Sequence, residues 1–270
     1  MCHAEAPAES APPPLPREEV RVPLAGGEEL PALLVRPAAG EGPGVLVVPD
    51  VYGRSPFYED LGARLAAAGF TALVVEPFFR QGPLAERSFP AAAARRARLD
   101  ERQALRDLDA AVAWLAAQPG MGGGAAGSGQ ARRTGTIGCC MGGTLVLDLA
   151  AQRDDLATVC YYGFPAGSRQ PAGPNAAPTP LDLADRINGP VLGFWGDQDE
   201  RVGVENVRRL AAELAARGVA FEHAVYPGLG HGFLAAVGFD PGHEAFAAVD
   251  DSWKRTLEFY RHHLSPRRRP

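Results

Sequence analysis

The stretch "TGTIGCCMGGTL", residues 134–145, places two adjacent cysteines between an apolar run and a group of glycines. Residues 134–139 have the composition of a buried strand, and residues 142–153 have the apolar spacing of a helix. The cysteines must therefore lie in a sharp turn from strand to helix. Apolar runs and helical patterns alternate in this way along most of the chain. This alternation predicts an α/β fold, with a mostly parallel, doubly wound sheet and helices on both faces.

The remaining elements are predicted from the same two patterns. Residues 18–37, "EEVRVPLAGGEELPALLVRP", carry Gly-Gly between two strand-like runs and predict an N-terminal antiparallel hairpin at one edge of the sheet. A single domain is expected over residues 17–265, between a flexible N-terminal arm (1–16) and a basic C-terminal tail (266–270). The other predicted strands are 44–50, 71–77, 157–163, 189–199 and 220–227, and the other predicted helices are 55–70, 91–118, 202–218 and 243–264.

Composition narrows the class of protein. The chain has 270 residues, 46% hydrophobic residues and a formal net charge of −5 with both signs interspersed, so neither a nucleic-acid nor a membrane partner is expected. No apolar run approaches the roughly 18 residues of a membrane helix, and residues 1–16 lack the features of a secretory signal. The four cysteines have neither disulfide nor zinc spacing, which indicates a reduced, cytoplasmic protein. The glycine-rich stretch 119–133 lacks a phosphate-binding motif and is expected to be a loop.

Glycine spacing selects one cysteine from the pair. A nucleophile at the apex of a strand–turn–helix elbow needs small residues two positions away on each side. Cys140 has Gly138 and Gly142 at those positions, whereas Cys139 has Ile137 and Met141. We therefore expect Cys140 at the apex, at a helix N-terminus that favours the reactive thiolate. Cys139 is expected to be buried and inert. A glycine-rich turn with only a packing role is the alternative.

An acid and a base follow in the order that such sites use. His231 stands in "YPGLGHGF" (226–233), a glycine-rich loop directly after the last predicted strand, and is the histidine whose position fits a general base. The acid is assigned to Asp199 in "FWGDQDERV" (194–202), with Asp197 as the second choice. The alternative is that either aspartate only caps the next helix.

These three side chains suit acyl transfer. His231 would accept the thiol proton of Cys140 and return it to the leaving oxygen, while Asp199 would orient the imidazole. The oxyanion needs backbone donors, which are expected from Met141, directly after the nucleophile, and from Val51, in the loop after residues 44–50.

With these residues in place, the chain resembles the dienelactone hydrolases (carboxymethylenebutenolidases), which are α/β-hydrolases with a Cys-Asp-His triad. The resemblance runs from about residue 45 to residue 264. It is carried by "VVPDVYG" (47–53), "VVEPFFRQG" (74–82), "IGCCMGG" (137–143), "CYYG" (160–163), "GDQDERV" (196–202) and "GHGF" (230–233). It implies an α/β-hydrolase fold and hydrolysis of a small-molecule lactone or ester without a metal or organic cofactor. We expect a monomer or small homo-oligomer.

The resemblance also implies roles for two charged residues. Asp50 occupies the place of a carboxylate that moderates the resting thiol, although the family's better-known occupant is glutamate. Arg80 occupies the place of an arginine that holds the substrate carboxylate, a task that suits a guanidinium. An ordinary surface arginine is the alternative for Arg80. A second carboxylate-binding arginine of the family is replaced here by Ala235. The substrate could therefore be a different lactone or ester, with or without a carboxylate.

The cleft is expected to be lined by aromatic side chains, some of which could equally belong to the core. The candidates are Tyr52, Phe78, Phe79, Tyr162, Trp195 and Phe233. Three other functions remain to be weighed. A thiol redox or sensor protein would use Cys139 and Cys140, although adjacent cysteines close only a strained ring. A hydrolase of another ester or thioester would use the same triad. A silent binding protein could use the same fold without catalysis.

Overall fold

The computed structural model describes residues 15–119, 121, 134–168 and 175–264. Three predicted segments lie wholly or largely outside the described residues: the arm at 1–16, the loop at 119–133 and the basic tail at 266–270.

Eight strands form one sheet in the order β1-β2-β4-β3-β5-β6-β7-β8. Strands β3 to β8 are parallel to one another, and β2 joins β4 antiparallel. Because helices cover both faces of the parallel strands β3 to β7, all residues of these strands are buried, whereas the edge strand β8 is partly exposed. The strands are β1 Arg17–Pro23, β2 Glu29–Val35, β3 Gly44–Val48, β4 Thr71–Val75, β5 Thr134–Cys139, β6 Leu156–Tyr161, β7 Val191–Gly196 and β8 Phe221–Tyr226.

The N-terminal hairpin is confirmed. Strands β1 and β2 pair antiparallel with Val22 opposite Leu30, and β1 forms the edge of the sheet. Gly26 and Gly27, in the turn, have φ of 96° and 87°, which glycine adopts without a steric penalty. The Gly-Gly pair in the sequence therefore marks the turn because other residues would be strained there.

Seven α-helices connect the described strands or follow them. The prediction of one continuous helix over residues 91–118 is wrong, since this region forms two helices, α2 and α3. Asp100 accepts a hydrogen bond from the backbone N–H of Gln103 and so caps a new helix, which brings Arg96, at the end of α2, against Glu101. The helices are α1 Pro56–Ala67, α2 Phe89–Arg96, α3 Glu101–Ala116, α4 Met141–Ala150, α5 Val204–Ala216, α6 Phe233–Val237 and α7 Phe246–Leu264.

The sheet separates two apolar cores. One core contains α1, α5 and α7, and the other contains α3 together with the outer face of α4. None of the helices in the described part of the chain is both long enough and apolar enough to cross a bilayer. The carboxyl ends of β3, β5, β6 and β7 meet along one edge, which is where open α/β sheets bind their ligands.

Candidate active site

Cys140 stands at the turn between β5 and α4. Its φ of 56° and ψ of −118° place a non-glycine residue in a disfavoured backbone conformation. The backbone N–H of Cys140 donates to the carbonyl of Tyr161 on the neighbouring strand, at 3.0 Å, and helps to hold this conformation. The structure thus puts Cys140, rather than Cys139, at the apex of the turn. Strain of this kind is characteristic of functional positions.

Gly138 and Gly142 leave no room for a side chain. A Cβ at Gly138 would lie 2.1 Å from the carbonyl oxygen of Gly142, and a Cβ at Gly142 would lie 2.1 Å from the carbonyl oxygen of Val48. Backbone atoms are in the way in both cases, so no side-chain rotation could relieve the overlap. The first turn of α4 therefore packs directly on the end of β3, and the glycine register follows from this close approach.

Substitution Gly142→Ala is expected to lower the free energy of unfolding by about 3–5 kcal/mol, because the sheet and α4 must separate to admit a methyl group. Urea unfolding monitored by circular dichroism measures the loss. Gly230→Ala is the matched control, since a Cβ at Gly230 meets no atom within 4 Å. Equal stabilities of the two variants would contradict the close packing inferred here.

Cys139 ends β5 and is buried. Burial raises the pKa of its thiol strongly, a hydrogen bond with Tyr162 opposes this shift, and the negative charge of Asp50 adds to it. Cys160, on β6, is also buried, and burial raises its pKa to about 12. Both thiols are therefore held in their protonated, unreactive form.

His231 and Asp199 form a buried pair. Nδ1 of His231 lies 2.7 Å from Oδ2 of Asp199, with the two side chains 5% and 1% exposed. The other carboxylate oxygen of Asp199 accepts hydrogen bonds from the backbone N–H groups of Arg201 and Val202, each at 3.2 Å. The carboxylate is thereby fixed between the turn after β7 and the loop after β8.

Asp197 has a different partner. Its Oδ1 accepts a hydrogen bond of 2.7 Å from the backbone N–H of Gly228, and its side chain is exposed. This contact joins the turn after β7 to the loop that carries His231. The structure therefore pairs His231 with Asp199, and Asp197 braces the same loop from outside.

Two aromatic residues bring the histidine to the elbow. The ring of His231 lies 5.2 Å from the ring of Tyr162 and 5.2 Å from the ring of Phe164, measured between centroids. Thr144, one turn into α4, donates from Oγ1 to the carbonyl of Cys140 and accepts at Oγ1 from the backbone N–H of Phe164. Phe164 therefore contacts His231 and is tied to the first turn of the helix that Cys140 begins.

The loop after β3 is held by buried charged side chains. Oδ1 of Asp50 accepts a hydrogen bond of 2.8 Å from the backbone N–H of Tyr52. The carbonyl of Val51 accepts a hydrogen bond of 3.3 Å from Nη2 of Arg95, and Arg95 also stacks on Phe78. These contacts orient the peptide of Val51 beside the elbow. The backbone N–H of Asp50 donates a hydrogen bond of 3.1 Å to the hydroxyl of Tyr58. Burial raises the pKa of Tyr58, Cys139 and Tyr162, and the negative charge of Asp50 adds to this effect at each of them.

A cavity of about 520 Å³ opens at Cys140. Val51 and Met141, the predicted oxyanion donors, line it together with Cys140. The cavity is closed on other sides by residues of α2, α3 and α4 and by the loops around residues 164–168 and 176–179. The elbow, both predicted donor residues and the aromatic ring of Phe164 thus surround one space.

Arg80 is not brought to this cavity. Its guanidinium forms ion pairs with Glu28 and with the buried carboxylate of Asp107, and it stacks on Phe79 at 4.3 Å. These contacts satisfy the charge of Arg80 and fasten the N-terminal hairpin to α3. The position of Arg80 therefore does not support its predicted role in holding a substrate carboxylate. That prediction rested on the family resemblance, and the sequence pattern did not reveal the two acidic partners.

The predicted aromatic lining also lies elsewhere. The hydrophobic core contains Phe78, Tyr162, Trp195 and Phe233. Tyr52 is buried in the loop after β3, and the ring of Phe79 stacks against the guanidinium of Arg80. Trp195 donates from its indole N–H to the carbonyl of Gly163, and Tyr162 supports the ring of His231. The aromatic residues that do line the cavity are Phe89 and Phe164. Most of the predicted lining residues thus belong to the hydrophobic core, which was the alternative considered for them.

Several polar lining residues were not singled out from the sequence, among them Arg96, Glu101, Thr144 and Asp148. Arg96 and Glu101 stand on either side of the break between α2 and α3, which the apolar pattern did not reveal. Thr144 and Asp148 follow Cys140 at helical spacing, on the face of α4 that also carries Met141. A polar residue at position 148 in an otherwise apolar helix was the one signal that could have identified this face.

Known proteins are similar to this chain over most of its length. The dienelactone hydrolase family model matches residues 30–264. Carboxymethylenebutenolidase from Rhodococcus opacus is 33% identical over 265 residues, covering 98% of both chains. Carboxymethylenebutenolidase 2 from Cupriavidus pinatubonensis is 34% identical over 200 residues, covering 73% of this chain and 76% of its own.

A solved structure gives the same result. A Klebsiella pneumoniae protein that is provisionally assigned to the dienelactone hydrolases superposes with a TM-score of 0.77 at 30% identity, covering 92% of this chain and 98% of its own. The predicted α/β-hydrolase fold is thereby confirmed. With its strand–elbow–helix turn and a family match spanning most of its length, the chain belongs to the dienelactone hydrolase family and is a hydrolase that acts on carboxylic esters.

Proposed function

We propose that this protein hydrolyses a small lactone or carboxylic ester through a thioester on Cys140, with His231 as general base and Asp199 as its partner. The observation that carries the proposal is the buried 2.7 Å contact between Nδ1 of His231 and Oδ2 of Asp199. It holds Nδ1 as the protonated nitrogen, so that Nε2 is the nitrogen that accepts a proton. The same loop contacts the aromatic pair beside the strained Cys140.

Acylation begins when the Sγ of Cys140 attacks the acyl carbon and its proton passes to Nε2 of His231. The carbonyl oxygen becomes an oxyanion, which accepts hydrogen bonds from the backbone N–H groups of Met141 and Val51. The carbon–oxygen bond to the leaving group then breaks, and His231 returns its proton to that oxygen. In a lactone the new hydroxyl stays attached to the acyl chain.

Deacylation repeats these steps with water. His231 removes a proton from the water, whose oxygen attacks the thioester carbon. The second tetrahedral intermediate collapses, the carbon–sulfur bond breaks, and the thiol of Cys140 is restored with the proton from His231. Asp199 stabilises the imidazolium in both halves of the reaction. Asp50, near Cys139 and Tyr162, is proposed to moderate the charge of the resting thiol.

The redox alternative has no support from the geometry. Its second thiol, Cys139, is buried, and burial raises the pKa of that thiol well above its usual value. A redox function would also leave the buried pair of His231 and Asp199 without a role. We therefore retain ester hydrolysis as the single proposed function.

The covalent intermediate provides the direct test. We expect that wild-type protein mixed with p-nitrophenyl acetate and quenched in acid during turnover gains the mass of one acetyl group. Fragmentation of the labelled peptide in the mass spectrometer should place that group on Cys140 rather than on the adjacent Cys139, and hydroxylamine should remove it, as expected of a thioester. Hydrolysis of the ester without any acylated peptide would contradict the mechanism, and acylation of Cys139 would contradict the assignment of the nucleophile.

A further inference from the structure

The end of the cavity remote from Cys140 contains a cluster of buried charged groups that the proposed mechanism does not use. Arg96 ends α2, Glu101 begins α3 and Asp148 lies on α4, and all three line the cavity. Their exposed fractions are 7%, 8% and 2%. Charged groups this deeply buried are rare unless they are paired.

The pairing within this cluster is incomplete. Nη2 of Arg96 donates to Oε1 of Glu101, and Oε2 of Glu101 accepts a hydrogen bond of 2.9 Å from the backbone N–H of Ala177. Across the described part of the chain, however, no group hydrogen-bonds to Nη1 of Arg96 or to Oδ1 of Asp148, although both atoms are buried. Because Arg96 and Asp148 both line the cavity, a donor and an acceptor left in this way indicate a ligand that supplies the missing bonds.

The cluster lies at a defined distance from the nucleophile. Met141, Thr144 and Asp148 share one face of α4 and line the cavity. Asp148 follows Cys140 by eight residues, which corresponds to about 12 Å along a helix axis, and helical side chains lean toward the N-terminus. A substrate group that reaches the cluster must therefore lie about 10–12 Å from the reacting acyl carbon.

The surrounding charges disfavour an anion at this position. Glu101 already neutralises Arg96, and Asp148 also faces Arg96. Burial raises the pKa of Asp148 well above its usual value, and the negative charges of Glu101 and Asp182 raise it further. Arg201 and Glu200, which also line the cavity, carry opposite charges and are exposed. A carboxylate brought to Arg96 would thus face two acidic side chains within a low-dielectric pocket.

We propose that Arg96 and Asp148 form a subsite for a hydroxyl group on the acyl chain of a neutral substrate. The hydroxyl oxygen accepts a hydrogen bond from Nη1 of Arg96, and its proton is donated to Oδ1 of Asp148. This inference rests on the proposed function, because it places the ester of the same molecule at Cys140. A hydroxyl suits both partners whether or not Asp148 is protonated, since Oδ1 can accept in either state.

Matched p-nitrophenyl esters test the subsite. Straight acyl chains of about six to ten carbons, ending in a methyl, a hydroxyl or a carboxylate group, should reach from Cys140 to the cluster. At the best length we expect the hydroxyl ester to exceed the methyl ester in kcat/KM by about 10- to 100-fold, since a site built for a hydroxyl discriminates against its absence. The carboxylate ester should be the poorest of the three.

Two variants locate the preference. Arg96→Lys keeps a positive charge for Glu101 but removes the second guanidinium nitrogen. Asp148→Leu keeps the branched shape of the side chain but replaces both oxygens with methyl groups. Each should reduce the ratio of hydroxyl to methyl ester to below about threefold, because one hydrogen bond is lost. Arg153→Lys is the matched control, as Arg153 pairs with Asp109 and Asp155 outside the cavity. Thermal unfolding identifies any variant that has not folded.

Three outcomes would overturn the subsite: equal rates for hydroxyl and methyl esters at every length, a preference for carboxylate, or an unchanged hydroxyl preference in both variants. The first would mean that solvent alone satisfies Arg96 and Asp148. Because the wild-type chain series is decisive by itself, a misfolded variant does not rescue the proposal. Wild-type turnover of p-nitrophenyl acetate, whose acyl group is too short to reach the cluster, reports separately on the proposed function.

Discussion

Substitution Cys140→Ala is expected to lower kcat/KM for a lactone or an aryl ester by at least about 10⁴-fold. The alanine variant has no atom that can form the thioester, and only binding and oxyanion stabilisation remain. Initial rates with p-nitrophenyl acetate and with an unsubstituted lactone measure the loss. Because Cys140 packs in the wall of the cavity, circular dichroism and thermal unfolding should accompany the rates.

Cys139→Ala is the matched control. Cys139 is one residue away but buried behind the elbow, with its thiol kept protonated by burial. We expect kcat/KM within about threefold of wild type and a loss of about 1 kcal/mol in the free energy of unfolding, for the small volume removed. If Cys139→Ala abolished turnover while Cys140→Ala retained it, the elbow register would be wrong.

The second large effect is expected at the acid. Asp199→Asn should lower kcat by about 10³- to 10⁴-fold, because the amide cannot stabilise the imidazolium and favours the wrong tautomer of His231. His231→Gln should cost about as much, since it removes the base itself. The double variant should be only slightly worse than either single variant, as expected of residues that act as a unit.

Asp197→Asn separates catalysis from loop structure. Asp197 lies two residues away and bonds to the backbone of Gly228, whereas Asp199 contacts the imidazole. The Asp197 variant should retain kcat within about threefold, because an amide oxygen still accepts the hydrogen bond from Gly228. A loss at Asp197 as large as that at Asp199 would show that both variants act by disturbing the loop, and the catalytic assignment would fail.

The architecture could be predicted from the sequence because its periodicities are strong. Strand β5 was predicted with its observed bounds, residues 134–139, and the N-terminal hairpin was predicted from Gly-Gly between apolar runs. The break between α2 and α3 was not predicted, because Asp100 caps α3 within a region whose apolar spacing continues on both sides. Local pattern alone could not separate one long helix from two shorter ones.

Some features of the candidate site could be predicted from the sequence and others could not. The position of Cys140 at the apex was predictable, since only glycine tolerates the backbone contacts at positions 138 and 142. The substrate contacts were not predictable. The family resemblance implies a carboxylate clamp at Arg80, yet its partners, Glu28 and Asp107, come from distant parts of the chain. The partners of a charged side chain depend on which distant segments the fold brings beside it.

The sequence by itself determined the α/β architecture and the elbow register, and it indicated the proposed order of nucleophile, acid and base. Each of these depends on residues close together in the chain, through periodicity, glycine spacing and strand-end position. Only the tertiary structure decided that Asp199 rather than Asp197 meets His231, that Arg80 is held by acidic partners, and that Arg96 and Asp148 share one cavity. Those outcomes depend on contacts between residues that the chain separates widely, and their energies exist only once the sheet and its helices have packed.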